Sequence, residues 1–398
     1  MIYYSYFLFI LLILLYQYSM FSPSTDYIYD EDNEEVTEDN YDDSSSERDK
    51  RAILTLQDFD WTFPIQYYIN VGVNEANVEE AVAYIVNETC IRFQRVYTLQ
   101  GATGLNFIST NGCSSFVGRV EITTTQDVAV GPDCSTVGWI MHMIGHALGM
   151  FHEETRPDRG KYVRILKNNI LQNRLQAFDI VPLTEAETFN LKYDIGALLH
   201  SNDTTQTANG RKTIVPYNKN YHRTIGQDQR MSFNEIKLLN LYYCNNICPQ
   251  AFTCDNRGYL NPNNCSVCKC PRNYSGYRCH LITRSSRGCP RRYIRSTRRT
   301  KTIVIRGRKS CYSQIKTRRG YKIRMVLKNS NLPRARVCPP NRGLEVKFFK
   351  DKTVTGNTFC GVRRNVIIRS LGYHVSFHYV GLNRNHFIRL QHKRVTGP

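Results

Sequence analysis

Acidic side chains are almost missing from the C-terminal part of the chain. Residues 281–398 hold two, Glu345 and Asp351, against 30 lysines and arginines. That stretch carries +28 where the whole chain carries +19, which leaves −9 on the first 280 residues. A segment so short of counter-charge repels itself, and it lacks the carboxylate cluster that a calcium site needs. Such a run reads either as a solvated surface or as a surface for polyanions. Outside the cell those are sulfated glycans, acidic matrix proteins or anionic cell surfaces. A long apolar run is missing too. The candidate, Phe7 to Leu15 in "MIYYSYFLFILLILLYQYSMFSPS", is too short to span a bilayer comfortably. It reads as a secretory signal over residues 1–20, although no lysine or arginine precedes it, and an uncleaved anchor is the alternative. No 20–50-residue repeat is visible. No cysteine is left over, since there are fourteen, and an even set fits extracellular pairing. Sequons at Asn87, Asn202, Asn264 and Asn273 agree with secretion.

Residues 21–51 form an acidic, polar stretch ending in Arg48-Asp49-Lys50-Arg51, the R-x-K-R pattern that secretory-pathway convertases cut. It reads as a propeptide, with a mature chain starting at Ala52; a basic doublet closing a solvated linker is the bland alternative. Residues 52–244 read as one α+β domain. "IQYYINVG" alternates like a strand, and "NEANVEEAVAYIVNETCIRFQR" has helical apolar spacing from Asn74 or Asn77. "VGRVEITTTQDVAVG" reads as further strands and Val137 to Met150 as a helix. "MSFNEIKLLNLYYC" makes a last helix, with Ser232 as N-cap and Glu235 completing a capping box. Residues 245–280 form a six-cysteine module too poor in apolar residues to fold without disulfides. Its cysteines alone allow fifteen connectivities. In residues 289–398, runs such as "KTIVIRGR", "YKIRMVLKN" and "YHVSFHYVG" predict an all-β sandwich.

The chemistry sits in "HMIGHALGMFHEETRPDR", His142 to Arg159. His142 and His146 are four apart, so a helix puts both imidazoles on one face, able to hold one Zn²⁺. Gly149 permits a sharp turn that brings in His152 as third ligand. A histidine pair at this spacing is often only a surface pair, whereas three with the intervening glycine is a specific signal. The run resembles the signature of the astacin family, H-E-x-x-H-x-x-G-x-x-H-E followed by R-P-D-R, and every defined position matches except Met143. The resemblance extends to "WTFPIQYYI", "SSFVGRVE", "YVRI", "TIVP" and "TIGQ". It implies a secreted zinc endopeptidase domain, made as a latent precursor, acting on matrix, cuticle or precursor proteins. It also implies disulfides Cys90–Cys244 and Cys113–Cys134. The small module resembles an EGF-like one, which implies Cys248–Cys265, Cys254–Cys268 and Cys270–Cys279. The basic C-terminal domain resembles a degenerate CUB-like domain, with Cys289–Cys311 and Cys338–Cys360, and the whole looks like a nematode-type astacin.

Three departures bear on activity. Active relatives carry a glutamate at the Met143 position, which takes a proton from the zinc-bound water and passes it to the leaving amine; a thioether cannot. Relatives also follow the zinc helix with S-x-M-H-Y, whose methionine underlies the metal and whose tyrosine steadies the oxyanion. Here "YDIGALLHS" puts Leu199 and Ser201 at those positions. Leucine conserves the volume, while serine is too short to replace the tyrosine. The acidic segment also has no F-x-G-D, from which relatives send an aspartate to cap the zinc. Glu153 and Glu154 are the nearby carboxylates, and relatives use the Glu153 position to bind the new N-terminus. The sequence therefore points to a zinc-binding astacin homologue that is inactive or weakened. A conventionally active endopeptidase and a matrix- or polyanion-binding protein with a scaffold-only protease domain are the other readings. Nucleic acid is not expected as a partner.

Overall fold

The computed structural model describes residues 53–54, 60–182, 184–249 and 252–396. The signal-like run, the acidic segment, the convertase-like site and Ala52 lie outside them. Among the described residues, no helix is long and apolar enough to cross a membrane.

The first domain is built on a five-stranded sheet in the order Phe93–Arg95, Ile65–Ile69, Gly104–Ser109, Thr125–Val130 and Ser114–Ser115. Its first four strands are parallel, and Ser114–Ser115 is an antiparallel edge. Helix Glu75–Glu88 starts where the Asn74 side chain caps it, and buries Val78, Ala81, Val82 and Ile85 at helical spacing in the core. Only the second half of "VGRVEITTTQDVAVG" is a strand. Residues 117–124 form a loop, held where Gln126 bonds the backbone of Gly118 and Val120. Those side-chain bonds satisfy backbone groups that a ladder would otherwise satisfy.

Helix Val137–Ala147 runs through the centre of this core. Thr136 caps it, and Gly138 and every residue from Ile140 to Ala147 are buried. Helix Phe233–Tyr243 opens on the Ser232–Glu235 capping box. The disulfide Cys90–Cys244, spanning 154 residues, ties its end to the end of the first helix, and Cys113–Cys134 pins the edge strand to the segment before the central helix.

The small module pairs Tyr259–Asn261 with Asn264–Lys269, and Tyr274–Ser275 with Leu281–Ile282. Its disulfides are Cys248–Cys265, Cys254–Cys268 and Cys270–Cys279. The last domain is a sandwich of a five-stranded and a four-stranded sheet, with Cys289–Cys311 and Cys338–Cys360. One apolar cluster joins it to the first domain, running from Tyr193, Ile195 and Tyr221 to Phe348 and Phe359. The two domains share a core, so neither is a free bead on a string.

Candidate metal centre

Helix Val137–Ala147 ends at a turn through Gly149, whose φ of +91° lies in the left-handed region that glycine enters without strain. The turn brings His152 back to the helix. The three Nε2 atoms then converge, with His142–His146 at 3.0 Å and both His142–His152 and His146–His152 at 3.2 Å. Four-coordinate zinc with Zn–N near 2.0–2.1 Å puts its ligand nitrogens roughly 3.3 Å apart. The triangle fits one such ion.

The far nitrogens fix the tautomers. His142 Nδ1 donates to the Leu198 carbonyl at 3.0 Å, and His146 Nδ1 donates to the Met150 carbonyl at 2.8 Å. The protons sit on Nδ1, so unprotonated lone pairs face one another across about 3 Å, an arrangement that a cation between them would resolve. Burial pushes all three imidazoles down, His146 to about 3, and they are neutral at neutral pH. Neutral imidazole is the form that binds zinc. Among the described residues this is the one His/Cys/Asp/Glu group with metal-ligand geometry.

Met143 stands between the first two ligands, fully buried in the apolar core. The neighbouring carboxylates have other work. Glu153 accepts from the Asp194 amide at 2.7 Å and from Arg156 at 3.2 Å. Burial raises its pKa to about 8, against the pull of Arg156. A small cavity lies beside it, lined by Met150, Leu191, Asp194 and Leu199. Glu154 accepts the Ser201 amide at 3.0 Å, and its other oxygen lies 4.0 Å from His152 Nδ1. Burial would raise Glu154, but His152, His200 and the amide and hydroxyl of Ser201 outweigh it and hold it below the usual carboxylate range. Glu154 thus lies on the side of His152 opposite the Nε2 triangle, outside hydrogen-bond reach of it.

Ser201 is buried against that same carboxylate. Leu199 packs under the helix at Gly145, where an added Cβ would meet its Cδ1 at 3.1 Å. The turn carrying both is hung from Glu235, whose carboxylate accepts the Leu198 and Leu199 amides at 2.8 and 2.7 Å as well as the Ser232 amide at 2.6 Å. The capping box is legible in the sequence, whereas its second task, holding the turn beneath the histidines, depends on a contact 36 residues away and is not. Tyr193 was also missed: its hydroxyl meets His200 Nε2 at 2.7 Å while its ring stacks on Tyr162.

The sequons differ in exposure. Asn87 and Asn264 are exposed and Asn202 is half-buried. Asn273 is 2% exposed, and its amide donates to Ser376 Oγ at 3.3 Å across the contact between module and sandwich.

A model of the astacin peptidase family matches residues 54–244. Zinc metalloproteinase nas-34 of Caenorhabditis elegans is 36% identical over 318 residues, covering 79% of this chain and 52% of that protein. Zinc metalloproteinase nas-23 of the same organism is 32% identical over 340 residues, covering 82% and 62%. The chain thus spans little more than half the length of these curated relatives. Among solved structures, high choriolytic enzyme 1, a hatching enzyme zinc-protease of Oryzias latipes, is 32% identical with a TM-score of 0.40, over 45% of this chain and 88% of that one. The histidine triangle, the family model and the curated relatives have one common reading: this chain belongs to the astacin family of zinc metalloproteinases.

Proposed function

We propose that the chain is a secreted astacin homologue that keeps its zinc but has lost or weakened hydrolysis, and that it binds or acts on extracellular matrix or cuticle proteins through the former catalytic cleft. Met143 carries the reading. It occupies the one position from which an astacin supplies its general base, and neither nearby carboxylate is placed to substitute. A bound zinc ion would supply Lewis acidity and lower the pKa of a water ligand.

The rest falls to side chains that are absent here. A proton carrier is worth about 10²–10⁴-fold in rate, and an oxyanion donor about 3–4 kcal/mol. Ser201 cannot supply the latter, because its amide and hydroxyl already serve Glu154. The intact triangle favours a metal-bearing binding protein over a bare scaffold.

Seven disulfides with no free cysteine among the described residues support an oxidising compartment. The basic sandwich supports binding to sulfated glycans or acidic matrix. Asn87, Asn202 and Asn264 are the sequons proposed to carry glycans. Asn273 is withdrawn from that set, since a glycan would have to displace its Ser376 contact. The test is zinc content together with peptide turnover, with and without chelator. One zinc per chain and no chelator-sensitive cleavage is the expected outcome; brisk cleavage that chelation stops would end the reading.

A further inference from the structure

The four-stranded sheet of the C-terminal sandwich runs in the order Lys301–Arg306, Phe387–Thr396, Tyr321–Asn331 and Val362–Arg369. One face is apolar: Ile303, Ile305, Ile323, Met325, Leu327, Ile388 and Leu390 are buried in the core. The opposite face is set by the register. Lys393 stands directly across from Arg324, and Arg324 directly across from Arg369. Farther along, Arg389 faces Asn329, which faces Arg364. Between these rows lies an uncharged one of Gln391, Val326 and Ile367. Ile367 is 41% exposed, and Val304, across from Arg389 on the opposite edge strand, is 49% exposed.

Like charges placed directly across a sheet are destabilising. Here they repeat over three adjacent strands, and none of the four strands contains an aspartate or glutamate. The sandwich has two acids, and both are engaged elsewhere. Glu345 accepts the Gly356 amide, with Lys347 and Arg272 at 3.6 Å; Asp351 pairs with Arg257 at 2.8 Å. The register thus gathers positive charge on one face of the sheet. Strands about 4.8 Å apart set the three cations over roughly 10 Å, and the second row lies about 13 Å away. Such spacing suits a linear polymer with an anionic group every few ångström. Arginine predominates, and its planar fork matches the oxygens of a sulfate better than a point charge does.

We infer that this face, centred on Arg324, Arg369 and Lys393 with Arg364 and Arg389 as a second row, is a docking surface for a linear sulfated glycan. The inference rests on the proposed polyanion reading and narrows it to one face. It places the glycan on the sheet.

The test uses the full chain and a heparin octasaccharide. The triple variant Arg324→Ser, Arg369→Ser, Lys393→Ser should bind at least about tenfold more weakly at fixed salt, and lose about three from the slope of log K against log salt. A control of equal charge loss, Arg284→Ser, Arg287→Ser, Arg291→Ser, removes arginines beside the other sheet and should lose less than about threefold. The face variant should keep or raise the thermal midpoint, since it relieves repulsion. Should it fail to fold, lysine acetylation on the unaltered chain decides: the octasaccharide should protect Lys393 and Lys322, which is two residues before Arg324 on the same face, but not Lys350, which lies outside the four strands. Equal losses in both variants, or equal protection of the three lysines, would overturn the face while sparing the polyanion reading. No binding by the parent would end both. Tighter, face-dependent binding to phosphatidylserine vesicles, hyaluronate or duplex DNA than to the octasaccharide would replace the sulfated partner.

Discussion

Thr355 donates twice to Asp194: its amide lies 3.1 and 3.2 Å from the two carboxylate oxygens and its hydroxyl 3.0 Å from Oδ2. The first residue belongs to the sandwich and the second to the segment leading into the turn beneath the histidine helix. The Asp194 amide in turn donates to Glu153, the neighbour of His152. Gly196 allows the approach, since a Cβ there would come within 2.5 Å of Thr355 Cγ2. Thr355→Val keeps the shape and deletes the hydroxyl, and should cost about 1–2 kcal/mol in urea unfolding of the full chain. An unchanged midpoint would mean that the sandwich only leans on the peptidase domain.

Glu345 gives the sandwich an acid dependence. Burial pushes its carboxyl up, but Lys347, Arg272 and the Gly356 amide outweigh burial and bring it to about 2, from an ordinary 4.5. A pKa depressed on folding stabilises above the unfolded value and is lost as pH falls through the folded one. The parent should therefore lose roughly 3 kcal/mol more than Glu345→Gln between about pH 4.5 and pH 2, measured as unfolding free energy at several pH values. Parallel curves for the two proteins would contradict the pairing.

Lys347 is the matching internal cation. Buried, it donates to the carbonyls of Lys352 at 3.0 Å and Val354 at 2.7 Å, which shapes the loop leading to Thr355. Lys347→Met removes those donors and the ammonium beside Glu345, and should destabilise by roughly 3 kcal/mol. Thermal unfolding of the two proteins side by side would decide, and equal midpoints would exclude the role.

Glycan mapping offers a separate check. Peptides from the secreted protein should carry N-glycans at Asn87, Asn202 and Asn264 and none at Asn273, which is buried against Ser376. A glycosylated Asn273 in folded protein would show that the contact between module and sandwich is not formed.

How much was legible in advance follows the range of each interaction. The zinc segment, the Ser232–Glu235 box and the Asn74 start of the first helix are local patterns, readable because helix geometry repeats within four residues. The loop at residues 117–124 read as a strand because Val117, Val120 and Ile122 suggest one, while the Gln126 side chain that captures the loop gives no periodic signal. Strand Lys309–Lys316, with buried Cys311, Ser313 and Ile315, was hidden by its polar letters. The Thr355–Asp194 contact, 161 residues apart, has no signature in one sequence at all.

Peptide turnover by the zinc-loaded parent, set beside the double variant Met143→Glu, Ser201→Tyr, tests the central claim most directly. Restoring a proton carrier and an oxyanion donor should raise kcat/KM by at least about 10³-fold over a parent near background, with equal zinc in both. A parent that cleaves as fast as the double variant, and stops on chelation, would contradict it.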